Sequence, residues 1–105
     1  MSKILYITPH LSTGGLPQYL YKKIEVVSNV NNDISLIEWE DQAPIYRVQK
    51  DLIKEIIYKS NFVSWEQSTT VEIKIKYIKN FIKTLNFDII HIEEFPEMFL
   101  PRELI

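Results

Sequence analysis

Residues Lys3 to Thr8 read KILYIT, a short run whose centre is wholly apolar and in which Ile4, Ile7 and Thr8 are β-branched. This stretch constrains the fold more than any other. A strand that is apolar on both faces must be covered on both faces, the condition of a parallel sheet flanked by helices. Thr8-Pro9 ends the run, and His10 to Gly15 (HLSTGG) follows as a loop. Leu16, Tyr19, Leu20, Ile24 and Val27 then recur at helical spacing, with Pro17 in the first turn, where its missing N–H costs nothing. Asn29 to Asp33 (NVNND) is rich in turn residues, and Ile34 to Trp39 (ISLIEW) reads as a second strand. Strand, glycine loop, helix, strand is a βαβ unit, whose crossover is expected to be right-handed.

The middle of the chain is more ambiguous. Val48, Leu52, Ile53, Ile56 and Ile57 fit a helix, although Tyr46 and Val48 also alternate with polar neighbours as a strand would. The helical spacing predicts a helix from about Val48 to Tyr58, with Phe62 to Trp65 (FVSW) a short third strand. Thr69-x-x-Glu72 matches a capping box, in which the hydroxyl and the carboxylate each satisfy a free backbone N–H. The helix it opens puts Val71, Ile75, Ile78, Ile82 and Leu85 on one face. Val71, Ile73, Ile75 and Tyr77 also alternate like an edge strand, but the helical spacing persists to Leu85 and the lysines lie opposite, which favours helix. Asp88 to Ile92 (DIIHI) reads as a fourth buried strand. The expected fold is α/β: a Rossmann-like parallel sheet of about four strands in the order 3-2-1-4, with helices on both faces.

Composition bounds the rest. At 105 residues and 46% hydrophobic, the chain has room for one core and not for a second domain. The formal charge is −2 and the Lys and Arg residues are scattered, which argues against a nucleic-acid partner. With no cysteine, neither a disulfide framework nor a thiolate metal site can form, and no His, Asp and Glu set has metal-ligand spacing. The apolar run after Met1 is too short for a signal or membrane segment, so the default location is cytoplasmic; peripheral membrane contact stays open.

Two segments carry chemistry. The chain has only two glycines, Gly14 and Gly15, and both lie between a strand end and a helix N-terminus, where an α/β sheet binds its ligand. Glycine lets an anion approach backbone N–H groups, and the helix dipole favours the charge. The pair fits a tight turn with no ligand equally well, since neither the dinucleotide fingerprint nor the P-loop is complete. On the fourth strand, His91 and Glu93 point to the same side near the same rim. A carboxylate there can accept a hydroxyl proton and an imidazole can shuttle one. The plainer reading is a satisfied buried histidine, with Glu94 and Glu97 favouring the start of a following helix. His10 on the loop is within reach of a ligand or simply exposed. Trp39 and Trp65 suit core or rim packing, and Glu38, Glu40 and Asp41 read as a solvated acidic loop.

Taken together, KILYITPHLSTGGLPQYLYKKIE and FDIIHIEEFPEMF resemble the N-terminal domain of family 4 glycosyltransferases, which have the GT-B fold. In that family the first strand leads into a P-x-x-x-x-G-G loop, here Pro9 to Gly15, and a later strand carries a D-I-I-H motif, here Asp88 to His91. The resemblance implies that Gly14 and Gly15, with Thr13 beside them, lie against the diphosphate of a nucleotide-sugar donor. It implies active-site positions for His91 and Glu93, with Glu93 standing where many members have a second histidine, and substrate contacts for His10 and Glu94. It implies a glycan or other hydroxyl acceptor and no cofactor besides the donor itself. The family's C-terminal nucleotide-binding domain has no counterpart in this sequence, so the expectation is an inactive half that needs that domain or a partner chain. Residues after the fourth strand offer little to cover it if the chain stops at Ile105, which would leave an edge. The alternative from another class is a non-enzymatic α/β partner-binding module; a phosphorylated receiver is disfavoured because the strand ends read Thr8-Pro9-His10 and Trp65-Glu66.

Overall fold

The computed structural model describes residues 3–11, 15–31, 33–41 and 48–93. Strands and helices alternate: β1 (Ile4–Thr8), α1 (Gly15–Ser28), β2 (Ile34–Glu38), α2 (Val48–Ile56), β3 (Phe62–Ser64), α3 (Val71–Leu85) and β4 (Ile89–Ile92), with a 3-10 turn at Lys59–Asn61 before β3. The four strands form one parallel sheet in the order β3-β2-β1-β4, as expected. Register pairs Tyr6 with Leu36 and His91, and Thr8 with Glu38.

Period-two alternation divides the core cleanly. Ile4, Tyr6, Ile34, Leu36 and Phe62 face α1 and α2, where Leu20, Ile24, Ile53 and Ile57 close over them. Leu5, Ile7, Ile37, Val63 and Ile92 face α3, where Ile78 is fully buried and Ile75, Phe81 and Ile82 pack around it. Complete burial of one such side chain contributes about 1.5–3 kcal/mol, so each layer rests on a few residues. Helices therefore cover both faces of the sheet.

Several local expectations are corrected. The N-cap of α3 is Thr70, whose hydroxyl accepts from the Ile73 N–H at 3.4 Å, so the cap lies one residue beyond Thr69 and Glu72 is not its reciprocal partner. Asn86 ends the helix in the left-handed region (φ 53°), its N–H donating to the Ile82 carbonyl at 3.0 Å, a position that asparagine tolerates. Tyr19, Val48 and Val71, expected on core faces, are exposed. β4 stands at the edge, as the order 3-2-1-4 implies, but it is not buried: Ile89 and Ile90 are 49% and 40% exposed. It is tied to β1 by Lys3, whose backbone N–H donates to Asp88 Oδ2 at 2.8 Å and whose Nζ donates to the Leu85 carbonyl at 3.0 Å.

Candidate functional site

All four strands run the same way, so their C-terminal ends share one rim. Backbone bonds continue the ladder past the strands there, from Trp39 N–H to the Thr8 carbonyl (2.8 Å), Asp41 N–H to Trp65 (2.7 Å) and Glu93 N–H to Ile7 (2.9 Å). Two polar clusters sit on this rim, both on the face toward α1 and α2.

The first stands on β4. His91 Nε2 and Glu93 Oε1 are 2.5 Å apart, with side chains 32% and 18% exposed. Two residues of extended chain separate them, so alternation alone sets both on one side. Lys23 of α1 brings its Nζ to 3.4 Å from Nδ1 and 3.3 Å from Nε2. A ring that donates from Nε2 to the carboxylate can accept from the lysine only at Nδ1, and that assignment satisfies all three groups. Tyr6 on β1, opposite His91 in register, places its ring centroid 5.5 Å away. Burial raises the Tyr6 phenol above its ordinary value, and the nearby Glu93 charge adds to the effect. The sequence signal brought out His91 and Glu93; Lys23 was invisible to it, because only the packing of α1 on the sheet brings the lysine to β4.

The second cluster joins β2, β3, α2 and the start of the first loop. Glu38 is 1% exposed and Lys50 3%, and they form an ion pair at 2.8 Å. Glu38 also accepts from the Leu11 N–H at 2.7 Å and the Ser64 hydroxyl at 2.6 Å, while Lys50 reaches Asp41 at 3.2 Å. A buried carboxylate is tolerable only when paired and hydrogen-bonded in this way. Glu38 is thus no part of a solvated acidic loop: it fixes the chain just ahead of Ser12. The available signal was its place at the end of an otherwise apolar strand, on the same face as Leu36.

Among the other expected residues, Gly15 is the first residue of α1, and the N-terminus of that helix follows β1 as expected. Thr13, Gly14 and Glu94 lie outside the described residues. His10 is buried, not exposed, and its carbonyl accepts from the Thr8 hydroxyl at 3.3 Å. Trp39 packs in the α3 layer with Lys74 Nζ 4.7 Å from its ring centroid, and Trp65 meets it edge-on at 6.2 Å between centroids. Lys74 is itself buried, which lowers its pKa; the charge of Glu40 opposes the shift. A cleft of about 670 Å³ opens along the β3 edge between Lys50, Lys54, Phe62, Ser64 and Trp65, away from His91 and Glu93. Among the described residues no group of His, Asp and Glu can hold a metal ion, and no helix is long and apolar enough to cross a membrane.

The chain thus has a Rossmann-like α/β fold with two polar clusters on one rim, and no family model, curated protein or solved structure matches it.

Proposed function

We propose that this chain forms the acceptor-side wall of a glycosyltransferase that moves a sugar from a nucleotide-sugar donor to a hydroxyl acceptor. The observation that carries the reading is the His91–Glu93 pair, 2.5 Å apart and partly exposed, on the strand next to the one that leads into α1. Transfer breaks the bond between the anomeric carbon and the diphosphate oxygen, makes one to the acceptor oxygen, and releases the acceptor's proton. The Glu93 carboxylate, one oxygen of which is held by His91, has a second oxygen to offer that hydroxyl. The N-terminus of α1, with backbone N–H groups and a favourable dipole, meets the charge that develops on the leaving diphosphate. Lys23 keeps the imidazole oriented through Nδ1. One wall cannot close a cleft around the donor, so the isolated chain is expected to turn over no nucleotide sugar.

The test is a titration of the isotopically labelled chain with pyrophosphate and with uridine diphosphate, followed by amide and imidazole chemical shifts. The reading expects saturable shifts at Gly15 and at the His91 ring, with no sugar transfer or hydrolysis. Silence at both positions would sink it, and turnover by this polypeptide alone would sink the claim of an inactive half. The exposure of Ile89 and Ile90 on edge strand β4 favours a second reading, a non-enzymatic module that docks another protein or domain there. A chain that ignores both phosphates yet pairs through β4 would establish that alternative.

A further inference from the structure

The outer face of α3 carries a pattern that packing against the sheet does not explain. The inner face is occupied by Ile75, Ile78, Phe81 and Ile82. On the outside, Ile73 is 58% exposed; Tyr77, 42% exposed, is stacked on Phe81 (5.7 Å between centroids) and meets Trp65 edge-on at 5.4 Å. With Lys76, Lys79, Asn80 and Lys83 they line a shallow groove of about 540 Å³. Its lining holds three lysines and no carboxylate, in a chain whose formal charge is −2. The only acid of α3, Glu72, lies one turn before Lys76. Lys83 also complements the C-terminal end of the helix dipole, but that accounts for neither Lys76 and Lys79 nor the exposed Ile73.

We propose that this face of α3 docks peripherally on a bilayer of anionic lipid. The charge selects an anionic partner, since three cations stand together with no compensating carboxylate in the groove. The feature runs along one helix of 15 residues, about 22 Å long, which a soft planar interface accepts lengthwise. A stable protein partner would instead need about 800 Å² of complementary surface on this side. The lysine stems lie along the apolar ground while their ammonium groups reach phosphates. Each lysine near an anionic surface strengthens binding about fivefold, so the three together supply about a hundredfold, reversibly and in a salt-dependent way. This inference does not rest on the glycosyltransferase reading.

The test is co-sedimentation of the chain with vesicles of phosphatidylcholine alone and of phosphatidylcholine with about 30% phosphatidylserine, the anionic component that polybasic surfaces respond to. The chain is expected to pellet with the second and not the first, and to be released at about 1 M salt, where the screening length falls to a few ångströms. The triple variant K76Q/K79Q/K83Q should bind about a hundredfold more weakly, and each single variant about fivefold. The lysines are exposed, so folding should be unaffected, and the single variants serve as the readout if the triple variant is not folded. Ile73→Ser should weaken binding with no change in salt dependence. Equal binding to neutral vesicles, no binding to anionic ones, or single variants that bind like the parent would overturn the proposal. So would self-association through α3 that the triple variant abolishes, which would assign the face to a second copy.

Discussion

Glu38 and Glu93 are both carboxylates at strand ends on the same rim and the same face of one sheet, yet their surroundings assign them opposite kinds of work. Glu38 lies at the centre of the sheet order, sealed under α2, with Lys50, Ser64 and the Leu11 N–H all within 2.8 Å. Glu93 follows the edge strand, has His91 at 2.5 Å and keeps an open side. A central strand end is roofed by helices and its polar groups must be satisfied internally; an edge strand end meets solvent on one side. The first arrangement suits holding a loop in place, and the second suits meeting a ligand. Polar residues of one type on one rim therefore divide by their distance from the sheet edge.

That contrast can be broken most directly at Lys50. Lys50→Met leaves Glu38 charged and buried without its cation and should cost about 3–5 kcal/mol, read as a lowered urea midpoint at unchanged slope. The double variant E38Q/K50M should recover part of this loss, because the amide oxygen still accepts from Leu11 and position 38 no longer carries a charge. A double variant less stable than Lys50→Met would show that the pair is not the origin of the cost. On the opposite face, the buried Lys74 gives a pH signature. Its folded pKa is lowered below 10.5, so the unfolded chain binds more protons in the window between the two values. Stability should rise with pH there. Tyr6, raised above 10.0, acts in the opposite sense, since the unfolded chain ionises first and stability falls as pH climbs through that range. Lys74→Met should remove the rising component and leave the falling one; an unchanged profile would contradict this assignment.

The smaller effects sharpen the same picture. Thr70→Ala should cost about 1 kcal/mol by removing the cap of α3, while Thr69→Ala should change stability much less; equal losses would restore the capping box read from the sequence. Glu93→Gln is expected to be smallest, below about 1 kcal/mol, because the pair it disrupts is partly exposed and screened. Its visible effect should instead be on the His91 ring, whose nitrogen shifts report the loss of the carboxylate partner. A large destabilisation by Glu93→Gln would move it into the class of Glu38 and end the comparison.

Much of the architecture was legible because it rests on short-range pattern. The apolar runs at Ile4, Ile34 and Ile89 mark strands, the spacing of Leu20, Ile24, Ile53 and Ile78 marks helices, and their alternation implies a parallel sheet with both faces covered. His91 and Glu93 could be put on one side of a strand by period alone, and their hydrogen bond accords with that. Where sequence reading failed, the deciding quantity was non-local. Glu38 looked like part of an acidic loop until α2 and β3 closed over it. Lys74 looked like a solvated lysine until Trp39 offered its ring. Lys23 had no reason to be associated with His91, 68 residues away in sequence. β4 read as a buried strand because its sequence is apolar, although the expected order 3-2-1-4 already set it at the edge, where its side chains are exposed.

The sequence by itself determined the order and type of the elements and the two-faced strands, since backbone propensity and hydrophobic period act over a few residues. The tertiary structure alone decided which charged side chains are sealed and which stay open, because burial and charge compensation depend on what the rest of the chain brings alongside. The same sum left three lysines and Ile73 together on the outside of α3, a grouping visible only once its other face was occupied.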